Sequence, residues 1–325
     1  MSMARNLALD AARVTEAAAV AAARLIGRGN EKAADQAAVD AMRTALNALE
    51  MDGTVVIGEG ERDEAPMLYI GERVGTGKGA KVDIALDPLE GTTITAKGAP
   101  NAQAVIAFAE QGKFLNAPDV YMEKLAIGPG APKDCVALSE TPAANLKNLA
   151  KARKCEVADL VACILDRPRH EEMIAKVREA GARIQLIGDG DVAGVIATTR
   201  PSTGVDIYMG QGGAPEGVLA AAALRCIGGQ MQGKLIFRKD EERQRARKLG
   251  ITDFNRIYTM EQMAAGDVLF AATGVTDGWM LKGVHRTAIG CTTETIIMRS
   301  DSGTVRVIQA EHSFALKPQL AKLMG

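Results

Sequence analysis

The chain has 325 residues, of which 47% are hydrophobic and 24% are charged. That balance is typical of a soluble globular protein with a sizeable core, and it excludes an intrinsically disordered chain. Thirty-nine basic residues nearly cancel forty acidic ones, so no global positive field gathers nucleic acid or anionic lipid. Binding partners must therefore be sought at local sites.

The cysteines and the N-terminal segment favour the cytoplasm. Five cysteines lie far apart without a C-x-x-C pair, which indicates a reducing compartment. No secretory leader is recognisable, and Arg5, Asp10 and Arg13 interrupt the Ala-rich start before it reaches the roughly 18 apolar residues of a membrane span. We therefore expect a cytoplasmic protein without a membrane partner.

The first half is predicted to combine two helices with a largely antiparallel sheet. Apolar spacings of three and four predict helices over 4–26 and 32–51, and Asn30 is the expected N-cap of the second. β-branched and alternating runs predict strands over 53–59 and 81–86, and a strand entering a hairpin over 104–114. Pro88 is predicted to end the second of these strands, because proline cannot continue a central ladder.

From about residue 160 the pattern changes to strands that alternate with helices. The predicted strands in this stretch are 160–165, 183–187, 205–209 and 234–237. Such alternation predicts a parallel α/β layer. Further strands are predicted at 267–271, 293–298 and 304–309. We therefore divide the chain into two halves, 1–158 and 159–325.

One acidic motif follows the strand at 81–86. Asp87 and Glu90 lie three residues apart across Pro88, so both carboxylates and the carbonyl of Leu89 can face one hard divalent cation. Gly91 lets the chain turn closely, and Thr92 places a hydroxyl beside the site. An ordinary β-turn followed by a helix cap has the same pattern, and the motif alone does not separate the two interpretations.

A second acidic cluster begins at the end of the strand predicted over 53–59. Its members are Glu59, Glu61, Asp63 and Glu64, and a solvated loop is the alternative interpretation. Carboxylates gathered at neighbouring strand ends repel one another unless a cation or a shifted proton compensates. The two clusters together therefore favour a metal site.

Two glycine-rich loops lie between a predicted strand and a predicted helix. The loop at 188–194 has the spacing G-x-G-x-x-x-G with Asp189 and Asp191 inside it, which argues against a dinucleotide. These aspartates either accept hydrogen bonds from hydroxyl groups or cap a helix. The loop at 209–217 lacks G-K-[ST], so ATP binding is not indicated.

Other polar residues allow two readings each. Arg167, Arg169 and His170 follow the strand at 160–165, where they form either a phosphate anchor or a surface charge. Tyr121 is either a core residue or a substrate contact. The three histidines share no metal-ligand spacing, so we interpret them as structural: His170, His285 and His312.

Five runs together resemble class II fructose-1,6-bisphosphatase, the bacterial GlpX type. They are 58–66, 83–93, 166–170, 188–194 and 210–217, in a match that extends from about 6 to 312. The resemblance implies a layered α-β-α-β-α sugar-phosphatase fold of the α/β class. It also implies hydrolysis of the 1-phosphate of fructose 1,6-bisphosphate to fructose 6-phosphate and phosphate in gluconeogenesis. The motif at 87–92 is similar to that of the lithium-sensitive phosphatase superfamily, which more often carries Asp where this chain has Glu90.

The resemblance also implies a set of site residues. The implied ligands of Mn²⁺ or Mg²⁺ are Asp35 and Glu59 for one ion, and Asp87, Glu90 and Glu216 for another. The implied substrate contacts are Glu90, Gly91, Thr92, Tyr121, Arg167, Pro168, Arg169, Asp189, Gly190, Asp191 and Gly213. Arg167 departs from the lysine expected there, and Asp35 alone would be read as an acid that favours the helix dipole. The N-terminal half would be the metal-binding α+β half, and the C-terminal half would bind the sugar phosphate.

The implied reaction uses a metal-activated water. Thr92 would orient that water, and Glu61 or Asp63 would accept its proton. The rival functions are a sedoheptulose-1,7-bisphosphatase, another sugar or inositol phosphatase, and a sugar-phosphate-binding regulator without turnover. In each case we expect a small-molecule partner, no nucleic acid, and a homo-oligomer, either a dimer or a tetramer.

Overall fold

The structure is a computed structural model that describes residues 7–60 and 67–317. The described residues pack as two compact units, one within Met1–Phe114 and Gly266–Gly325 and the other within Leu115–Ala265. The boundary expected near residue 158 falls inside the second unit, where the segments on either side share one hydrophobic core. The division into a metal-binding and a sugar-phosphate-binding half stays a prediction.

The described residues form helices and strands in the following order. The helices are α1 (Leu7–Ala23), α2 (Glu31–Asn47), α3 (Thr92–Lys97), α4 (Pro142–Arg153), α5 (Glu171–Glu179), α6 (Asp191–Ala197), α7 (Ala214–Ile227), α8 (Asp240–Lys248) and α9 (Met260–Met263). The strands are β1 (Met51–Ile57), β2 (Arg73–Val74), β3 (Ala80–Glu90), β4 (Gln103–Glu110), β5 (Tyr121–Ile127), β6 (Val161–Leu165), β7 (Arg183–Ile187), β8 (Ile207–Gly213), β9 (Gln230–Ile236), β10 (Ile257–Thr259), β11 (Val268–Gly274), β12 (His285–Arg286), β13 (Gly290–Arg299) and β14 (Thr304–Ser313).

The first unit contains a sheet with the order β12-β13-β11-β4-β3-β1-β2, and β14 pairs with β13. Among the strands of the described residues in this unit, only β1 and β3 are parallel neighbours, so the predicted, largely antiparallel sheet is confirmed. Alternate residues of the strands, such as Ile84 and Phe108, face Ala18 of α1 and Met42 of α2 in one core. Asn30 caps α2 as predicted, because its Oδ1 accepts a hydrogen bond from the Ala33 amide at 3.0 Å.

The second unit contains a sheet with the order β10-β9-β5-β8-β6-β7. Only β7, β6 and β8 are parallel, because β5, β9 and β10 pair with their neighbours in antiparallel directions. The predicted parallel layer is therefore confirmed for β6, β7 and β8 and wrong for β9, the fourth strand predicted in this stretch. The strands predicted near the end of the chain belong to the first sheet, where β11 pairs with β4.

Pro88 does not end its strand as predicted. β3 continues through Pro88 to Glu90, and its pairing with β4 shifts between Asp87, opposite Val105, and Glu90, opposite Gln103. The irregularity places a residue without an N–H where no ladder hydrogen bond is required. It also carries Glu90 to the end of the strand, where α3 begins.

The two mixed sheets, each packed against helices, confirm the predicted α/β class with its layers of helices and strands. Among the described helices, none combines the length and the apolar character that crossing a bilayer requires.

Candidate active site

The first group of predicted site residues lies at the junction of β3 and α3. The Leu89 amide donates to Oδ1 of Asp87 at 3.0 Å, which closes a turn of the kind that the sequence allowed. Glu90 is only 3% exposed, and Gln103 donates from its side chain to the Glu90 carboxylate. Gly91 has a φ of 95°, a left-handed conformation, and any Cβ there would lie 2.6 Å from Cγ1 of Ile94. Thr92 is therefore held as the first residue of α3.

Glu59 lies at the same sheet edge as Asp87. β1 and β3 are parallel, and Ile57 is level with Ala85, so each acid follows its paired residue by two positions. Gly58 allows the close approach of the segment at Leu68, because a Cβ there would clash with the Leu68 carbonyl oxygen and lie 3.3 Å from its carbonyl carbon. Glu61 and Asp63, the candidate proton acceptors, lie outside the described residues.

Asp35 lies on α2, which packs against β3 and α3. Burial raises the pKa of the Asp35 carboxyl above its usual range, because the charged form loses hydration. Within 7–60 and 67–317, no three acids, histidines or cysteines converge closely enough to form a ready metal cage. The first unit therefore offers separate carboxylates, and the ligand set implied by the resemblance stays a prediction.

The second group of predicted site residues lines one cavity in the second unit, with a volume of about 440 Å³. The cavity lies where β6, β7 and β8 end, which is the edge at which parallel strands usually bind ligands. Its lining includes Asp119, Val120, Tyr121, Leu165, Arg167, Arg169, Asp189, Asp191, Gly212, Gly213, Glu216 and Glu242. Pro168 and Gly190 lie in the same loops, between lining residues, and Gly190 caps α6 with a φ of 82°. The structure thus brings together the predicted substrate residues of this unit and one predicted metal ligand.

Two arginines give the cavity a cationic wall. Arg169 donates from Nε and Nη2 to the Gln211 carbonyl at 3.1 and 2.8 Å, so its guanidinium is fixed in place. Its Cζ lies 4.9 Å from the centre of the Tyr121 ring, and Cζ of Arg238 lies 4.1 Å from that centre. Arg167 is half-buried and also lines the cavity. Guanidinium groups of this kind suit a phosphate group.

His170 has the structural role that was predicted for it. Its Nε2 accepts a hydrogen bond from the Gln211 amide at 2.7 Å, so Nδ1 carries the proton and donates to the Leu165 carbonyl at 2.7 Å. Burial lowers the pKa of the imidazole, which favours this neutral form. His170 thereby ties the end of β6 to β8, beneath Arg169.

Two carboxylates lie beneath the glycine-rich end of β8, that of Asp191, which is buried, and that of Glu216, which is half-buried. A Cβ on Gly212 would lie 2.9 Å from Cγ of Asp191, and a Cβ on Gly213 would lie 2.7 Å from Cδ of Glu216. Burial raises the pKa of Glu216, and the positive charge of Lys124 opposes that rise. Oε2 of Glu216 is buried and accepts no hydrogen bond from the residues that the structure describes.

Lys124 is the site residue that the sequence reasoning missed. Its side chain is 0% exposed, and its Nζ lies 2.5 Å from Oδ2 of Asp191. Strand residues alternate between the two faces of a sheet, and the adjacent Leu125 belongs to the hydrophobic core on one face. Lys124 therefore lies on the opposite face of β5. A lysine inside an apolar strand is unusual enough to mark a buried partner.

The cavity of this α/β protein thus offers cations that suit a phosphate group and carboxylates that suit hydroxyl groups or a metal ion. The family model described as bacterial fructose-1,6-bisphosphatase, glpX-encoded, matches residues 5–312, and the chain belongs to this family. The chain is 48% identical over 324 residues to fructose-1,6-bisphosphatase 1 class 2 of Escherichia coli strain K12, covering 95% of this chain and 96% of the relative. It has the same identity and coverage with fructose-1,6-bisphosphatase class 2 of Shigella flexneri.

Family membership confirms the resemblance inferred from the motifs. It also confirms the predicted enzyme class, a phosphoric monoester hydrolase, and it implies dependence on a divalent metal ion.

Proposed function

We propose that this chain hydrolyses the 1-phosphate of fructose 1,6-bisphosphate, giving fructose 6-phosphate and phosphate in gluconeogenesis. Support comes from family membership together with one observation, the cavity in which Arg167 and Arg169 face Asp189 and Asp191. A sugar phosphate presents an anion at one end and hydroxyl groups along its length. Guanidinium groups and carboxylates that line the same cavity match that chemistry.

The cavity would hold the end of the substrate that does not react. Arg167 and Arg169 would bind the 6-phosphate, and the ring of Tyr121 would orient Arg169 and pack against the sugar. Asp191 would accept a hydrogen bond from a sugar hydroxyl. Contacts remote from the reacting phosphate raise the rate by fixing its position, so loss of these contacts affects both KM and kcat.

The carboxylates of the chain fit a divalent cation. Carboxylate oxygens are the ligands that Mn²⁺ and Mg²⁺ prefer, and the buried Oε2 of Glu216 accepts no hydrogen bond within the described part of the chain. Burial also disfavours the charge of Asp35, and a bound cation would offset that cost. The proposed ligands are Asp35, Glu59, Asp87, Glu90 and Glu216.

Such ions, when bound, supply a water of lowered pKa and stabilise charge on the departing oxygen. The residues of the chain would position the reactants around this chemistry. Thr92, held at the start of α3 by the left-handed Gly91, would orient the attacking water through its hydroxyl. Glu90 and Gly91 would contact the reacting end of the substrate, and Glu61 or Asp63 would accept the proton.

The deciding experiment measures phosphate release from fructose 1,6-bisphosphate with Mn²⁺, with Mg²⁺, and with chelator. We expect turnover with at least one ion and none with chelator. Sedoheptulose 1,7-bisphosphate, fructose 1-phosphate and inositol 1-phosphate, assayed in parallel, separate the related phosphatases. A higher kcat/KM for one of these compounds than for fructose 1,6-bisphosphate would identify that compound as the substrate instead. Binding of fructose 1,6-bisphosphate without phosphate release under any metal condition would indicate a regulator instead.

The proposal includes a cytoplasmic location and a homo-oligomer, either a dimer or a tetramer. Light scattering coupled to size exclusion, with and without Mn²⁺, measures the mass of the assembly. A mass of one chain, 34.2 kDa, at all concentrations would contradict the oligomer.

A further inference from the structure

An ammonium group is buried beneath the cavity of the second unit. Lys124 lies in the middle of β5, and its side chain is 0% exposed. Leu125 and Ile127 on the same strand belong to the core that includes residues of α4 and α5, so Lys124 lies on the other face of the sheet. There a Cβ on Gly217, in the first turn of α7, would lie 3.3 Å from Cε of Lys124. Apolar residues fill such a position at a lower desolvation cost, so the lysine serves a partner rather than the core.

That partner is Asp191, the first residue of α6. Nζ of Lys124 lies 2.5 Å from Oδ2 of Asp191, and Oη of Tyr208 lies 3.4 Å from the same oxygen. Asp191 also lines the cavity, and its Oδ1 receives no hydrogen bond from the side chains and amides that the structure describes. Oδ2 of Asp191 is thus held by Lys124 and Tyr208, and Oδ1 is left for a ligand.

The backbone of β8 closes over this arrangement. A Cβ on Gly212 would lie 3.1 Å from Nζ of Lys124 and 2.9 Å from Cγ of Asp191, both closer than ordinary contact. The glycine therefore lets the strand cover the ion pair directly. The Asp191 carboxylate lies directly against this glycine, and its Oδ2 is held there by Lys124 and Tyr208.

We infer that Lys124 is a positioning residue for the sugar: it holds Oδ2 of Asp191 so that Oδ1 accepts a hydrogen bond from a sugar hydroxyl. The inference rests on the proposed function, since it concerns the sugar of that substrate. Lys124 does not touch the substrate and acts only through Asp191. Its effect on catalysis must therefore disappear when the Asp191 carboxylate is absent.

The test uses a double-mutant cycle in the full-length protein with Mn²⁺. Lys124→Met alone leaves a buried aspartate without its cation and can prevent folding. The decisive comparison is therefore Asp191→Asn against Asp191→Asn with Lys124→Met, because both variants lack the charge at 191. Lys176→Met, which removes an exposed lysine on α5, is the matched control. For each variant, kcat and KM are measured with fructose 1,6-bisphosphate, and binding of fructose 6-phosphate is measured by calorimetry.

We expect Asp191→Asn to raise KM about 10- to 100-fold, the loss of one hydrogen bond to a charged group. Adding Lys124→Met should change KM by less than about threefold, and a folded Lys124→Met should itself match the KM of Asp191→Asn. Tyr208→Phe should raise KM less than either, and Lys176→Met should match the wild type. A further rise in KM of threefold or more in the Asp191→Asn background would overturn the inference.

Failure of the proposed function has a different signature. If the wild type binds fructose 6-phosphate but releases no phosphate from the bisphosphate, the proposed activity is wrong and the binding cycle still decides the role of Lys124. If the wild type neither binds nor turns over, both proposals are overturned.

Discussion

Gly212→Ala tests most directly how Asp191 and Lys124 pack against β8. The new Cβ would lie 2.9 Å from Cγ of Asp191 and 3.1 Å from Nζ of Lys124, and closer still to a carboxylate oxygen. Ordinary contact begins at 3.4 Å and the carboxylate oxygen is the nearest atom, so the buried pair or the strand must move by about 1 Å or more. Overpacking a core costs about 1–3 kcal/mol, and disturbing a buried ion pair adds to that cost. We take about 3 kcal/mol as the expected loss of unfolding free energy.

For a unit of this size, that loss lowers Tm by roughly 6–12 °C. Circular dichroism melts of the wild type and Gly212→Ala measure the shift, and the same samples should show a KM at least about 10-fold higher, because Asp191 is displaced. Gly188→Ala is the matched control, since nothing lies within 4 Å of a Cβ there and its φ is unremarkable. A melting point within about 1 °C of wild type together with an unchanged KM for Gly212→Ala would refute the placement of Asp191 beneath β8.

Three further changes test other parts of the site. Thr92→Val should lower kcat by about 100-fold or more, because the attacking water loses its orienting hydroxyl, while calorimetric Mn²⁺ binding persists; unchanged turnover would contradict this role. Glu216→Gln removes a charge that burial disfavours, so in chelator the variant should resist urea better than wild type. It should nevertheless lose Mn²⁺-dependent stabilisation and activity. A urea midpoint below that of wild type in chelator would show that the charge of Glu216 is already compensated. Burial lowers the pKa of His170, so the unfolded chain binds the proton first and stability falls as pH drops below the ordinary value of 6.5. His170→Gln should show a smaller loss of urea midpoint between pH 7.5 and 5.5, and equal losses in both proteins would assign the pH dependence to other groups.

Local order in this chain follows closely from local sequence. Asn30 has a side chain that accepts an amide hydrogen bond, and the helix that it caps begins at the next residue. The alternation in β3 likewise places Ile84 and Leu86 in the core, as periodicity predicts. Pro88 is the exception, because the rule that proline ends a strand ignores the shift in register that lets the pairing resume at Glu90.

Pairing between distant segments could not be predicted in the same way. β11 joins β4 across more than 150 residues, and nothing in either strand specifies the other, since the central residues of both are apolar and buried. The parallel prediction for the second unit failed for a related reason. β9 follows a helix, as a parallel strand would, but it pairs with β5 in the opposite direction. Only the register of the folded sheet distinguishes these arrangements.

The candidate site likewise contains residues whose position follows from local sequence and residues whose role depends on distant partners. Arg167, Arg169 and Asp189 follow strand ends, and the rule that ligands bind at the carboxyl edge of parallel strands places them correctly in one cavity. Lys124 lies in the middle of an antiparallel strand, where no such rule applies, and its meaning depends on a partner 67 positions away. The glycines of β8 are similar, because their lack of a side chain is required by carboxylates that reach them from α6 and α7. A glycine-rich strand end of this kind is therefore evidence of buried charge beneath the backbone, even where it carries no nucleotide-binding spacing.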